Sequence, residues 1–189
     1  SFITMSSELR VDKILPIDGI VATSSVGASA SNNAGGTGGA IQTVYFQGKA
    51  KSNGDANYVT TTTTSFIATG FYVNITPKFA TSKIRIDCHF HSWATNSGQT
   101  DDYVRVTIYR DSTNIAATLG QSTTDTMCWI GDNDDNATAN DFRTWSFIDT
   151  PNTTSQIKYE IYMRTHNGQS HRYGWASDMN AIIATELSA

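Results

Sequence analysis

The chain has 189 residues and a formal net charge of −4, and charged residues make up 16 % of it. Typical globular domains contain roughly 25 % charged residues, so the surface of this protein must be largely uncharged and polar. The 13 Lys and Arg residues are scattered and form no basic stripe, so we expect no nucleic-acid binding. No apolar run approaches the roughly 20 residues that cross a bilayer, so we expect no membrane insertion.

The N-terminal part is not typical of a globular domain. Residues 1–22 contain too few apolar side chains to form a core, so we expect them to pack on the head of the same chain, on neighbouring copies in an oligomer or on a larger particle. Residues 23–40 (TSSVGASASNNAGGTGGA) are predicted to form a flexible linker. The sequence therefore predicts an anchor or trimerisation segment, a linker and a head domain at 41–189.

The head domain has a composition and periodicity typical of β-structure. The chain contains 27 Thr and 17 Ile but only four Leu, and β-branched residues favour strands. Short β-type runs separated by turn residues are predicted at 41–50, 58–67, 71–75, 83–93, 103–110, 115–119, 127–130, 142–148, 156–164 and 180–187. This pattern predicts an all-β, antiparallel β-sandwich, with a jelly roll as the first choice and an up-and-down barrel as the alternative.

Two predicted strands show the clearest alternation. In residues 83–93, Ile84, Ile86, Cys88 and Phe90 share one face, and in residues 156–164 every second residue from Ile157 is apolar. Cys88 is therefore predicted to be a buried thiol, and a disulfide between Cys88 and Cys128 is the alternative.

His89 and His91 lie on the other face of the same predicted strand. In a trimer, three such pairs would bring six imidazoles together near the threefold axis, which is enough for an octahedral metal. The preferred interpretation is a solvated histidine pair beside Arg85 and Asp87. We expect no cofactor, and an axial metal remains the alternative.

A ligand-recognition surface is predicted around His166–Asp178 (HNGQSHRYGWASD). An Asn-Gly turn at 167–168 would project polar and aromatic side chains suited to stacking on sugar rings. The predicted contact residues are His166, His171, Arg172, Tyr173 and Trp175, and Tyr103, Trp93 and Trp129 are candidates to join them. The alternative is that these aromatic residues fill the core or a subunit interface.

Enzymatic activity is not predicted. The chain lacks a GxSxG motif, and its three glutamates, Glu8, Glu160 and Glu186, offer no evident general acid. A polysaccharide depolymerase that uses loop aspartates such as Asp132 and Asp134 is the alternative.

Three segments resemble a known group of proteins. They are SELRVDKILPIDG at Ser7–Gly19, ITPKFATSKIRI at Ile75–Ile86 and FIDTPNTTSQIKYEIYMRT at Phe147–Thr165. Together they resemble tail-fibre-like and virion structural proteins of marine bacteriophages, especially those that infect cyanobacteria. The head is also similar in pattern to the trimeric jelly rolls of complement-type and tumour-necrosis-factor-type domains.

The resemblance implies a homotrimeric, non-enzymatic virion protein in a tail fibre or similar appendage. Its N-terminal segment would trimerise it or attach it to other virion proteins, and its head would contact a host-surface glycan. The alternatives are a capsid-decorating fibre and a free glycan-binding, lectin-like protein.

Overall fold

A computed structural model describes residues 39–48, 59–94, 102–118, 126–132, 140–168, 170–173 and 180–188. The predicted anchor and nearly all of the predicted linker lie outside these residues. The strands are β1 (Ala40–Gly48), β2 (Val59–Thr61), β3 (Ile67–Ile75), β4 (Lys83–Ala94), β5 (Asp102–Arg110), β6 (Thr113–Asn114), β7 (Cys128–Asp132), β8 (Asn140–Asp149), β9 (Ile157–Thr165), β10 (His171–Tyr173) and β11 (Asn180–Leu187). The described part contains one helix, α1 (Ile115–Thr118).

The strands form two antiparallel sheets, which confirms the predicted all-β sandwich. In the first sheet the order is β1-β11-β4-β8, and the short strands β10 and β2 extend the sheet beside the far end of β4. In the second sheet the order is β3-β9-β5, and β7 and β6 share the other edge of β5. Every described strand pair is antiparallel, as in sheets built from hairpins and Greek keys.

The core lies between the two sheets and follows the predicted alternation. Ile84, Ile86, Cys88 and Phe90 are fully buried, as expected for one face of β4. They belong to the same core cluster as the buried faces of β3, β5, β9 and β11. The buried apolar side chains of β9 are Ile157, Tyr159, Ile161 and Met163.

The sandwich has two ends that differ in what they carry. At the proximal end, β1 begins and β11 ends, and the backbone N–H of Ser188 donates to Gly39 O at 2.9 Å. At the distal end, β5 begins and β9 ends, since Val104 lies opposite Thr165. Several strands begin or end at the distal end. They include the described strand ends on either side of residues 49–58, 95–101, 133–139 and 174–179.

Two carboxylates stabilise the proximal end. Glu186 is fully buried on β11, and its carboxylate accepts hydrogen bonds from Gln42 Nε2 at 2.6 Å and from the backbone N–H of Lys78 at 2.7 Å. Asp149 at the end of β8 accepts from Arg110 Nη1 at 2.9 Å and from the Tyr159 hydroxyl at 2.7 Å. Because Asp149 belongs to the first sheet and its two partners to the second, this cluster ties the sheets together.

Three local predictions differ from the structure. Residues 115–119 were expected to form a strand, but 115–118 form α1, because Asn114 Oδ1 accepts the N–H of Ala116 and starts a helical turn. The predicted strand 58–67 ends at Thr61 as β2, and the chain then crosses to the second sheet. Residues 171–173, predicted as part of an exposed loop, form β10 between β2 and β4. Among the described residues, no helix is long and apolar enough to span a membrane.

Candidate functional site

A cluster of aromatic and basic side chains lies on the outer surface of the second sheet, at the distal end. Tyr103 and Arg105 come from β5, Trp129 from β7, and His166 directly follows β9. Arg105 lies opposite Trp129 in the sheet register, and the backbone N–H of His166 donates to Tyr103 O at 3.0 Å. Four residues from three separate segments of the chain therefore meet on one surface, which we call the distal cluster.

The rings of the distal cluster form a stacked platform. Tyr103 and His166 stack with 4.3 Å between their ring centroids and 10° between their planes. Trp129 packs against Tyr103 at 5.6 Å with a 57° tilt, and its side chain is 60 % exposed. Exposed aromatic faces held in a fixed geometry lose little entropy when a ligand with its own apolar face stacks on them.

Arg105 supplies the positive charge of the distal cluster. Its Nη2 donates to the Tyr103 hydroxyl at 3.0 Å and lies 3.2 Å from His166 Nδ1. A guanidinium has no acceptor, so Nδ1 accepts this hydrogen bond and the imidazole proton is assigned to Nε2. Arg105 Cζ is also 5.2 Å from the Tyr103 ring centroid, within the range of a cation–π contact.

Further aromatic and basic residues continue the same surface. Arg164 on β9 lies directly opposite Arg105 on β5. Its Cζ is 4.9 Å from the Phe66 ring centroid, and its Nη1 donates to Thr64 O at 3.2 Å. Tyr109 and Tyr162 stack beyond it with their centroids 3.9 Å apart. The outer surface of the second sheet is thus lined by π-faces and two neighbouring guanidinium groups.

The turn after β9 fixes the position of His166. Gly168 has a φ of +85°, a conformation that L side chains rarely adopt, and this agrees with the predicted Asn-Gly turn. The Thr165 hydroxyl accepts the N–H of Gly168 at 2.8 Å, and the N–H of Thr165 donates to Thr63 O at 2.9 Å. These bonds hold the strand end that carries His166.

The predicted recognition residues do not all come together. His166 joins Tyr103 and Trp129, but His171 is fully buried and does not project from the head, because β10 is held between β2 and β4. The backbones of Arg172 and Tyr173 also lie in β10, and that of Trp93 lies in β4. Trp175 lies outside the described residues.

The histidine pair on β4 lies on the outer face of the first sheet. His89 is partly buried, while His91 is only 8 % exposed, so the preferred interpretation, a solvated pair, does not describe His91. Its backbone N–H donates to Asn180 Oδ1 at 2.9 Å. Among the residues that the structure describes, no group of three or more His, Cys, Asp or Glu side chains could hold a metal. The axial metal site stays a prediction about an assembly.

The two cysteines are free thiols. Cys88 is fully buried in the core, and this burial raises the pKa of its thiol well above the usual value, with smaller contributions from Cys128 and Asp87. The thiol therefore stays protonated at neutral pH and behaves as a small core side chain.

Comparison with known proteins adds no assignment. No protein-family model matches the chain, and no curated protein matches its sequence. Arg105 was not singled out from the sequence. The alternation of Tyr103 and Arg105 on one strand could have suggested it, but only the pairing of β5 with β7 and β9 shows what surrounds it.

Proposed function

We propose that this chain is a non-enzymatic virion structural protein whose homotrimeric head belongs to a tail fibre or a similar appendage and binds a host-surface glycan. The observation that carries the recognition role is the distal cluster, where stacked rings and a guanidinium form an exposed platform. Sugar rings present apolar C–H faces together with hydroxyl groups, and such a platform is suited to both.

The strand order supports a jelly-roll head. Among the eight described strands of five or more residues, the first, eighth, third and sixth form one sheet, and the second, seventh, fourth and fifth form the other. Two Greek keys, the topology of a jelly roll, would produce this order. A jelly-roll head would agree with the similarity in sequence pattern to trimeric complement-type and tumour-necrosis-factor-type domains.

The outer surface of the first sheet supports a homotrimer. Tyr45 on β1 is 71 % exposed, and Phe142 and Ile148 on β8 are 53 % and 52 % exposed. Covering such side chains in an interface gains about 25 cal/mol for each Å² of apolar area. Arg85 and Asp87 on the same surface already form an ion pair at 3.0 Å, so an interface there would bury no unpaired charge from them.

The polarity of the sandwich supports an appendage. Residue 39 lies at the proximal end, where the N-terminal segment joins the head, and the distal cluster lies at the other end of the strands. Attachment through the N-terminal segment would leave the distal end directed away from the attachment point. Other virion proteins would then contact the N-terminal segment, and the glycan would contact the distal cluster.

A pair of matched variants of the full chain tests the recognition role. We expect Trp129→Ala to abolish binding to host cells and to a glycan array, because it removes the exposed ring of the platform. Phe79→Ala is the control, since Phe79 is 59 % exposed but lies at the proximal end. Equal binding by wild type and Trp129→Ala would overturn the proposal.

A free, lectin-like glycan-binding protein is the second candidate. It is favoured by one observation: a single chain supplies all four residues of the distal cluster. Strong glycan binding by a monomer would select it over the virion appendage. A capsid-decorating fibre would share the trimer and the glycan site but differ in its place on the particle.

A further inference from the structure

We infer that the ligand of the distal cluster is an acidic saccharide, in which a carboxylate on the sugar ring pairs with Arg105 while the ring stacks on Trp129 or Tyr103. This inference rests on the proposed glycan-binding function and specifies its chemical class. The class is that of uronic acids and related carboxylated sugars, in which an apolar ring face and an anionic group are rigidly joined.

Arg105 differs from the paired cations of this chain in the groups that it contacts. Arg85, Arg110 and Lys158 are each paired with a carboxylate, at 3.0, 2.9 and 2.6 Å. Within the part of the chain that the structure describes, Arg105 instead contacts a neutral phenol and an imidazole acceptor. A guanidinium has five N–H donors, so donors remain for an anionic oxygen, and carboxylates match its planar fork.

A second guanidinium group lies beside Arg105. Arg164 lies directly opposite Arg105 on the adjacent strand. Because directly opposed positions share one face of a sheet, an anion bound at Arg105 would also lie close to the Arg164 guanidinium. Each guanidinium group also lies against an aromatic ring. Arg105 Cζ is 5.2 Å from the Tyr103 ring centroid, and Arg164 Cζ is 4.9 Å from the Phe66 ring centroid. Packing against rings keeps both groups partly desolvated, which strengthens pairing with an anion.

The ring platform has a shape suited to a sugar ring beside Arg105. The Tyr103 and His166 rings are nearly parallel, and the Trp129 ring is tilted by 57° against Tyr103. The rings therefore offer stacking faces in two orientations beside the Arg105 fork. The assignment of the His166 proton to Nε2 adds a donor for a sugar hydroxyl.

Binding of one oligosaccharide in two chemical forms tests the inference. The probe is a tetragalacturonate, and its partner is the same tetrasaccharide with every carboxylate reduced to a primary alcohol. Isothermal titration of the full chain should show binding of the carboxylated form that is at least about tenfold tighter than binding of the reduced form, as expected for a charge-assisted hydrogen bond. Raising the salt concentration should weaken only the carboxylated form.

Matched variants identify the residue responsible. Arg105→Gln should remove the preference for the carboxylated form, whereas Lys78→Gln, at an exposed position of the proximal end, should keep it. Equal binding of both forms, lost in Trp129→Ala, would overturn the acidic-sugar inference and leave the glycan-binding proposal standing. Binding of neither form, or binding only of sulfated sugars on an array, would also overturn the inference. Absence of any glycan or cell binding would overturn the proposed function itself.

Discussion

The proximal and distal ends of the sandwich use polar residues in opposite ways. At the proximal end, Glu186 and Asp149 each accept several hydrogen bonds from within the chain. At the distal end, Arg105 and the rings around it leave donors and π-faces open to solvent. The difference separates stability from recognition: polar groups that are satisfied internally hold the fold together, and those left open are available to a ligand.

The largest expected effect is at the proximal end. Asp149→Asn should lower the free energy of unfolding by about 2–4 kcal/mol, because it leaves the half-buried Arg110 without its counter-charge and puts an amide N–H₂ beside a donor. Asp111→Asn is the matched control, since Asp111 is exposed and Asn keeps the Oδ1 that accepts the backbone N–H of Lys158, and it should cost about 0–0.5 kcal/mol. Denaturant unfolding of both variants measures the difference. Similar losses in the two variants would contradict the account of the proximal end.

Glu186 should make the stability depend on pH. Burial raises the pKa of Glu186, but hydrogen bonds from Gln42 and from the backbone N–H groups of Lys78 and Phe79 outweigh it, so that the pKa is lowered overall. The ionised Glu186 carboxylate therefore contributes fully to the stability above its pKa in the unfolded chain, about 4.3. This stabilisation is lost as the pH falls through the lower pKa of Glu186 in the folded protein.

Glu186→Gln tests this contribution. The variant should be less stable than the wild type at pH 7, and the gap should narrow as the pH is lowered below about 4. Thermal unfolding from pH 7 to pH 2.5 measures the gap. A gap that stays constant over this range would show that the charge of Glu186 contributes nothing.

Cys88 should report the integrity of the core between the two ends. In a Cys128→Ser background, the Cys88 thiol should resist a maleimide reagent at pH 8 and react only when the protein unfolds, because it is fully buried and its pKa is raised. Mass spectrometry of the labelled protein in increasing denaturant follows the reaction. Rapid labelling of the folded protein would show that the core opens locally.

The smallest expected effect on stability is at the distal end. Trp129→Ala should change the free energy of unfolding by no more than about 0.5 kcal/mol, because this side chain is 60 % exposed and the removed contacts lie mostly on the surface. The same substitution is expected to remove glycan binding. Denaturant unfolding provides the check, and a loss as large as that of Asp149→Asn would make Trp129 a structural residue.

The buried faces of the strands could be predicted from the local alternation of apolar residues. The alternation in residues 83–93 and 156–164 correctly gave the buried faces of β4 and β9, because every second side chain of a strand points to the same face. The sequence named His166, Tyr103 and Trp129 as candidates for one surface, but it could not give Arg105 or the arrangement of the four side chains, since Trp129 and His166 reach Tyr103 only through pairing of β7 and β9 with β5. His171 was expected in an exposed loop, but it is buried in β10. The sequence of this segment did not reveal that it pairs with β2 and β4.

The absolute mass of the full chain in solution, measured by light scattering, tests the central claim most directly. The account predicts a trimer for the wild type and for Trp129→Ala, and dissociation for Tyr45→Asp, because Tyr45 lies on the proposed trimer surface of the first sheet and Trp129 does not. A monomeric wild type, or a trimer disrupted by Trp129→Ala but not by Tyr45→Asp, would contradict the claim that the first sheet assembles the head and the second recognises the ligand.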